Sequence, residues 1–149
     1  MFTITPLQES DLEDMYQQIC LSRDHLLDLG WVAQCSWQRF FQHYQAIIVQ
    51  KKLAIFTVRV DGQIAGAVEV ADKLDHYVVG YWLGINYRGK GIATEAVKSV
   101  INRLDNKTIL ADTLIENPAS SRVLERLGFT LDRTTDKSGF YQLLRKKEI

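Results

Sequence analysis

The stretch NYRGKGIATEA, residues 86–96, places glycines where an apolar segment turns into an amphipathic one. Glycine forms helices poorly, but at a helix start the first amides lack partners and, with the helix dipole, attract anions. Gly89 and Gly91 let a phosphate approach the backbone, and Arg88 and Lys90 add positive charge. The stretch therefore predicts a phosphate cradle at the start of a helix. The alternative is a connecting turn with solvated basic side chains.

Two common phosphate-binding motifs do not fit this stretch. A Walker A loop needs Ser or Thr directly after its lysine, whereas Lys90 is followed by Gly91. The three-glycine dinucleotide fingerprint is incomplete because residue 94 is threonine. We therefore do not expect nucleotide hydrolysis.

The residues before the cradle predict three strands. LAIFTVRV and QIAGAVEVA, residues 53–60 and 63–71, flank Asp61-Gly62, a dipeptide that favours a type I′ hairpin turn. After the turn DKLD, the largely apolar run HYVVGYWLGI, residues 76–85, predicts a strand covered on both faces. The cradle therefore follows directly on a strand.

The residues after the cradle alternate between strand and helix patterns. An apolar stripe predicts an amphipathic helix over residues 91–104. TILADTLI and GFYQLLRK, residues 108–115 and 139–146, predict strands. Between them, NPASSRVLERLG, residues 117–128, has Asn117 at the N-cap, a proline at the first helical position and a final glycine. A well-delimited helix is therefore expected there.

The N-terminal third predicts one strand and mostly helices. FTITPL, residues 2–7, indicates the strand, and SDLE, residues 10–13, is a capping box. Gly30 is expected to close the second helix and Ser36 to cap the third. The predicted helices cover residues 11–21, 22–30 and 36–50. Together with the later strands they indicate a mixed α/β sheet.

The composition predicts one cytoplasmic domain over residues 1–149. The 18 basic and 18 acidic residues balance, so nothing favours a nucleic acid or an anionic membrane as partner. No signal peptide and no apolar run of about 18 residues is present. Cys20 and Cys35 match no metal spacing and are expected as free thiols in a reducing compartment.

The cradle sequence, RGKGIA at residues 88–93, matches the R/Q-x-x-G-x-G/A signature of the GNAT superfamily of N-acetyltransferases. RDHLLDLGWV, VGYWLGINYRGKGIATEA and IENPASSRVLERLGF, residues 23–32, 79–96 and 115–129, resemble its RimJ/RimL-type ribosomal-protein acetyltransferase branch. The resemblance covers nearly the whole chain. It implies an α/β (α+β) fold: a mixed, mostly antiparallel sheet flanked by helices, with a splayed central strand pair.

The resemblance also implies acetyl-CoA (coenzyme A) as co-substrate and no metal. Its pantetheine arm would pair with the backbone of Leu83, Gly84 and Ile85, and Asn117 would orient that arm near the thioester. The residues whose amides would hold the pyrophosphate are Arg88, Gly89, Lys90, Gly91, Ile92, Ala93 and Thr94.

Two catalytic groups follow from the same resemblance. The backbone amide near Leu83 would stabilise the oxyanion that forms when an amine attacks the thioester. Many relatives place a tyrosine on the helix after Asn117, but the matching residue here is Leu124, so the usual acid is absent. Ser120, where the RimL-type branch has a serine beside the sulfur, is predicted as proton donor or thiolate stabiliser. Alternatively, Ser120 only bonds a local backbone amide in the first turn of the helix.

No general base stands out in the sequence. Glu69, Asp75, His76 and Tyr77 lie on or between the two strands that lead to the site. Histidine suits proton transfer at neutral pH. A histidine at the end of a strand is, however, usually just a partly exposed residue without a catalytic role. An α-amine is about 10% neutral at pH 7, against about 0.04% for a lysine. The apparent lack of a carboxylate base therefore favours a protein N-terminal α-amine as acceptor.

The acceptor is the least constrained part of the prediction. Trp31, in the GWV bend that borders the acceptor groove of the RimL-like branch, is expected to line that groove. Relatives have a longer, proline-containing stretch at this bend. A small amine (polyamine, amino acid or aminoglycoside) is the second acceptor class, and related proteins often pair as homodimers. A non-catalytic acyl-CoA sensor and a plain phosphate-binding domain are the other functions considered.

Overall fold

The computed structural model describes residues 2–51 and 53–145, which form one seven-stranded sheet flanked by helices. The elements are β1 (Phe2–Pro6), α1 (Leu12–Ser22), α2 (Trp37–Gln50), β2 (Ala54–Val60), β3 (Gln63–Asp72), β4 (His76–Leu83), α3 (Ile92–Ile101), β5 (Thr108–Leu114), α4 (Pro118–Arg126), β6 (Thr130–Thr134) and β7 (Ser138–Leu143). The strand order is β1-β2-β3-β4-β5-β7-β6, and every neighbouring pair except β4–β5 is antiparallel. The predicted mixed, mostly antiparallel sheet is confirmed.

The β2–β3 hairpin turns at the predicted dipeptide. Asp61 and Gly62 have φ of 50° and 84°, and positive φ at both central residues defines the type I′ turn, whose twist matches that of the strands. The predicted cap of α2 is also confirmed: the Ser36 hydroxyl accepts the Arg39 amide at 3.3 Å at the start of the helix. Local chemistry therefore fixes both of these boundaries.

The central strands β4 and β5 separate after a short parallel contact. They pair only from His76 opposite Thr108 to Val78 opposite Leu110, although β4 continues to Leu83. The splayed strand pair is therefore confirmed. Its opening lies between the C-terminal halves of the two strands.

The register of β4 determines which backbone groups face this opening. The Lys73 amide donates to the His76 carbonyl at 2.9 Å, and the Gly84 amide donates to the Ala65 carbonyl at 2.7 Å. Hydrogen bonding alternates along an antiparallel strand, so even-numbered residues of β4 bond to β3. The amide and carbonyl groups of Tyr81 and Leu83 consequently point toward the opening.

Each face of the sheet has its own apolar cluster. Helices α1 and α2 cover one face through a buried set that includes Met15, Ile19, Phe40, Tyr44 and Trp82. Helices α3 and α4 cover the other through a set that includes Val79, Val97, Val100, Ile109 and Leu124. The sheet is therefore held between two layers of helices. Within the described residues, no helix combines the length and apolar character that crossing a membrane requires.

Two local predictions in the N-terminal third are wrong, whereas the prediction for β4 holds along most of the strand. A 3-10 turn over Glu9–Asp11 precedes α1, and the Asp11 carboxylate accepts the Gln8 amide at 2.9 Å, so the predicted capping box at residues 10–13 does not form. Residues 22–30 form 3-10 segments rather than an α-helix, and Gly30 (φ 56°) lies inside the second segment. Strand β4 is covered on both faces, by the cluster that includes Val79 on one and by the cluster that includes Trp82 on the other, although Gly80 is exposed beside a cavity.

The C-terminal elements differ from the prediction in extent and number. Helix α3 ends at Ile101 rather than at residue 104. All five residues of β6 are exposed, so this edge strand has no apolar alternation and was not predicted from the sequence. Strand β7 ends at Leu143, and the predicted end at Lys146 lies outside the described residues.

Replacing Gly66 on β3 tests the packing beside the opening. A Cβ at Gly66 would lie 2.1 Å from the Trp82 carbonyl oxygen of β4, whereas a Cβ at Gly80 would meet nothing within 4 Å. We expect Gly66→Ala to lower the free energy of unfolding by about 1–3 kcal/mol and Gly80→Ala to change it little. Urea denaturation measures both, and equal losses in the two variants would contradict this packing.

Candidate active site

The opening between β4 and β5 leads into a cavity of about 470 Å³, which we call the first cavity. The 3-10 segment around Asp28, the end of β4, the start of α3 and the length of α4 enclose it. The predicted site residues that line it are Leu83, Arg88, Gly89, Gly91, Ile92, Ala93, Thr94, Asn117 and Ser120. Gly84, Ile85, Lys90 and Trp31 are not among its lining residues.

The start of α3 forms a cradle on the wall of the first cavity. Gly89 and Gly91 have φ of 75° and 77°, a left-handed conformation that favours glycine. The Glu95 amide donates to the Gly91 carbonyl at 3.2 Å, so the helical amides of residues 92–94 precede the first intrahelical bond. Thr94 Oγ1 is buried with no hydrogen-bond partner. These groups fit an anionic ligand such as a diphosphate.

Three arginines add positive charge to the first cavity. Arg88, Arg122 and Arg126 line it, and the Arg88 guanidinium also donates to the His25 carbonyl. Guanidinium groups bind phosphate oxygens in bidentate fashion. The cavity can therefore hold a ligand with several phosphate groups.

The backbone of residues 83–85 is only partly free to bind a ligand. The Gly84 amide is bonded to the Ala65 carbonyl. The Ile85 amide is not free to donate to a ligand, because it donates to the fully buried Ser22 hydroxyl at 2.9 Å. Leu83 is the residue of this group whose amide faces the opening. It alone among the three is placed to donate its amide to a ligand there.

Asn117 connects two walls of the first cavity. Its side-chain amide donates to the Asp28 carboxylate at 2.8 Å, and the Leu114 amide donates to the same carboxylate at 3.3 Å. The Asn117 side chain makes no cap bond to α4. Asp28 thereby ties the 3-10 segment over Leu27–Gln34 to the end of β5 and the start of α4.

Ser120 has a partner that the sequence did not reveal. Its hydroxyl donates to Tyr81 Oη at 2.9 Å, and Tyr81 Oη donates to the Ser120 carbonyl at 2.6 Å. Burial raises the pKa of the Tyr81 phenol to about 12, so it keeps its proton at neutral pH. Leu124, at the position where relatives have a tyrosine, is fully buried in the core. In the sequence, only its place in the GYWL motif of β4 marked Tyr81 as a residue near the site.

A second cavity of about 350 Å³ adjoins the first. The residues that line both cavities are Leu27, Asp28, Leu29, Tyr81, Trp82 and Ser120. The carboxylates of Asp28, Glu69 and Asp112 line the second cavity, and no arginine, lysine or histidine is among its described lining residues. The first cavity therefore carries positive charge, the second carries negative charge, and they meet at Tyr81 and Ser120.

Of the four candidate bases, Glu69 reaches this second cavity. It is half-buried beside Gly80 on the neighbouring strand, and burial raises the pKa of its carboxyl group. Asp75 and His76 bond to each other at 2.6 Å at the opposite end of β4. The Tyr77 hydroxyl accepts the Asp105 amide at 3.1 Å. The last three residues therefore lie away from both cavities.

Trp31 lies on the surface beside α2. Its side chain is 47% exposed, meets His43 edge-on with ring centroids 4.9 Å apart, and lies under the Arg39 guanidinium. It lines neither cavity. Among the described residues, no group of three His, Cys, Asp or Glu side chains is placed to hold a metal ion.

The cradle, the arginines and the strand opening coincide with a family match. The model of the acetyltransferase (GNAT) domain matches residues 2–130. The chain belongs to the GNAT acetyltransferase family. It is an acetyl-CoA-dependent N-acetyltransferase, and no curated protein matches it in sequence. That the family domain accounts for all of residues 1–149 remains a prediction.

Several solved GNAT acetyltransferases share this fold. RimL, a ribosomal L7/L12 α-N-protein acetyltransferase bound to coenzyme A, superimposes with a TM-score of 0.85 at 18% identity, over 97% of this chain and 94% of that one. Spermidine N-acetyltransferase from Vibrio cholerae, with CoA and spermine, gives 0.79 at 16%, over 97% and 95%. Aminoglycoside acetyltransferase AAC(6')-Ib with coenzyme A gives 0.80 at 20%, over 97% and 95%. Identities this low establish the shared fold and leave the acceptor undetermined.

Glu69→Gln tests the burial of this carboxyl group. Because the folded state raises the pKa of Glu69, the folded protein binds more protons than the unfolded chain above the ordinary carboxyl pKa of about 4.3. The contribution of Glu69 to stability then falls as the pH rises through this window. We expect Glu69→Gln to be more stable than the parent protein at pH 7, with a difference that shrinks toward pH 4.

Urea denaturation between pH 4 and pH 8 measures this difference. Glu116→Gln, at an exposed turn residue, is the matched control and should follow the parent curve. A pH-independent difference between Glu69→Gln and the parent protein would show that burial does not penalise the Glu69 carboxylate.

Proposed function

We propose that this enzyme acetylates a protein N-terminal α-amine by direct attack of the amine on acetyl-CoA in a ternary complex. One observation carries the proposal: a positively charged cavity and a negatively charged cavity meet at a pair of hydroxyl groups. A phosphorylated acyl donor suits the first cavity, and an ammonium group suits the second. The carbonyl carbon and the nitrogen then meet at the junction.

On the donor side, we assign the diphosphate to the cradle at the start of α3. The unpaired amides of residues 92–94, the buried Thr94 hydroxyl and the three arginines supply hydrogen bonds and charge. The pantetheine arm occupies the opening beside Tyr81 and Leu83, where β4 no longer pairs with β5. The Leu83 amide is the proposed donor to the carbonyl oxygen as negative charge develops on it.

On the acceptor side, Glu69 is the proposed base. A carboxyl group with a raised pKa holds a proton more readily at neutral pH than an exposed one. An α-ammonium ion, with a pKa of about 7.7–8.0, gives up its proton more easily than a lysine at about 10.4. This match supports an N-terminal α-amine over a lysine side chain. The motifs shared with the RimJ/RimL-type branch support the same acceptor.

A polyamine is the second candidate acceptor. The three carboxylates of the second cavity could pair with more than one positive charge, which a polyamine carries and a single α-amine does not. The fold is shared with the Vibrio cholerae spermidine N-acetyltransferase as well as with RimL. The charge of the second cavity thus favours cationic acceptors in general.

Coenzyme A binding tests the donor site. Bound at a hundredfold excess over its dissociation constant, coenzyme A should raise the free energy of unfolding by about 2.7 kcal/mol. We expect Arg122→Gln to weaken coenzyme A binding about tenfold, as loss of a charge-assisted hydrogen bond does, in calorimetric titration. Arg133→Gln, on β6 with its guanidinium over the Phe140 ring, is the control. Equal affinities of the two variants for coenzyme A would show that Arg122 does not contact this ligand.

An acceptor panel tests the amine class. Free thiol released from acetyl-CoA is measured with a peptide that has a free α-amine, the same peptide with a blocked α-amine and one lysine, spermidine, and an aminoglycoside. We expect the free α-amine peptide to react with the highest kcat/KM. Preference for spermidine would establish the second candidate, and preference for the lysine peptide would contradict the role given to the α-amine. Coenzyme A binding without thiol release from any acceptor would show a non-catalytic sensor.

A further inference from the structure

We propose that Tyr81 is a catalytic residue that acts with Ser120 as a two-hydroxyl relay, carrying a proton from the attacking nitrogen to the leaving sulfur. The inference rests on the proposed acetyl transfer and adds a residue that the family comparison does not assign. It starts from the reciprocal hydrogen bonds between Tyr81 on β4 and Ser120 on α4.

Tyr81 and Ser120 are the hydroxyl groups at the junction of the two cavities. Of the six residues that line both, the other ionisable side chain is Asp28. Its carboxylate already accepts hydrogen bonds from Asn117 and Leu114. His25 lines only the first cavity, where its carbonyl accepts the Arg88 guanidinium near the cradle. The junction therefore offers a phenol and an alcohol for proton movement.

The hydrogen bonds at this junction show that Ser120 does not act independently. Its hydroxyl hydrogen points to Tyr81 Oη at 2.9 Å, and the phenol hydrogen points to the Ser120 carbonyl at 2.6 Å. Each hydroxyl has one hydrogen and can also accept. For Ser120 to donate to sulfur, its bond to Tyr81 must reverse. Rotation of both hydroxyls gives a chain in which Tyr81 donates to Ser120 and accepts from the second cavity.

The proton balance of the reaction fits such a chain. Glu69 first accepts one proton from the bound ammonium ion, which leaves a neutral amine. As the N–C bond forms and the C–S bond breaks, Tyr81 Oη accepts the second proton from nitrogen and gives its own to Ser120 Oγ. Ser120 Oγ passes its hydrogen to sulfur. Both hydroxyls end neutral, and the net products are the amide, the thiol and the proton held by Glu69.

The high pKa of Tyr81 favours a relay over a simple acid. Burial raises this pKa to about 12, whereas an ordinary thiol titrates near 8.5. A phenol that protonated a thiolate without being reprotonated would end as a buried phenolate, which is strongly unfavourable. In the relay, Tyr81 gains a proton as it loses one. Neither of these half-buried hydroxyls therefore accumulates charge.

Tyr81→Phe removes the phenol hydroxyl and keeps the ring. We expect kcat to fall about 100-fold, as for other proton-transfer groups, with the KM for acetyl-CoA changed less than about twofold. Ser120→Ala should lose about as much, and the double variant no more than either, because the two hydroxyls act as one unit. Tyr77→Phe is the control: it lies four residues earlier on the same strand, and its hydroxyl bonds to Asp105 away from both cavities.

Solvent isotope measurements separate a relay from a structural role. In single-turnover mixtures of H₂O and D₂O, two protons moving together give a curved dependence of rate on deuterium fraction, which should become linear in Tyr81→Phe. Wild-type turnover in Tyr81→Phe, with thiol release from the parent enzyme intact, would overturn the relay and leave acetyl transfer standing.

Titration of bound coenzyme A provides a readout that needs no acceptor. Its thiolate absorbs in the ultraviolet, so the pKa of the bound thiol can be measured directly. Hydrogen bonds to a thiolate lower its pKa, and we expect both Tyr81→Phe and Ser120→Ala to raise the pKa of bound coenzyme A relative to Tyr77→Phe. The same thiol pKa in the parent enzyme and in all three variants would overturn the contact with sulfur. This result would count even if no tested amine released thiol.

Discussion

The unfinished pairing of β4 and β5 is the constraint on which the rest of this enzyme depends. The two strands share three residue pairs and then separate, which leaves backbone donors and acceptors on β4 without a strand partner. Unpaired backbone groups at the centre of a sheet are costly unless a ligand or water satisfies them. Both strands stay in place although they separate, because the apolar cluster under α3 and α4 includes residues of each, such as Val79 and Ile109. A binding site is the structural result of that separation.

The division of charge between the two cavities follows from which segments of the chain line each cavity. The segment that leads into α3 and the length of α4 bring helix N-termini and three arginines to one side of the opening. The outer face of β3, the middle of β5 and the segment around Asp28 bring carboxylates to the other. In the proposed reaction, an anionic donor and a cationic acceptor are thereby directed to opposite sides of one junction.

The sequence predicted those parts of the enzyme that local chemistry controls. The Asp61-Gly62 turn, the Ser36 cap and the glycine cradle depend on conformations that few residues adopt, so short patterns sufficed. The exposed strand β6 and the competing Gln8–Asp11 bond left no periodic signal. Glu69 could be named as a candidate but not chosen, and Tyr81 was missed, because both depend on contacts between residues far apart in sequence. Tertiary contacts alone bring Tyr81 and Ser120, 39 positions apart, within hydrogen-bond distance.

The Asp28 carboxylate has a consequence for how acceptor preference could change. Asp28 fastens its segment to Leu114 and to Asn117, three residues before Ser120 on the same helix start. In the proposed mechanism, remodelling that segment to admit a bulkier amine would therefore also disturb Ser120 beside the thioester. Ala71 and Val78 border the same space from the sheet and make no such link. Substitutions along that wall can change which amine is accepted most freely, because they leave the residues beside the thioester in place.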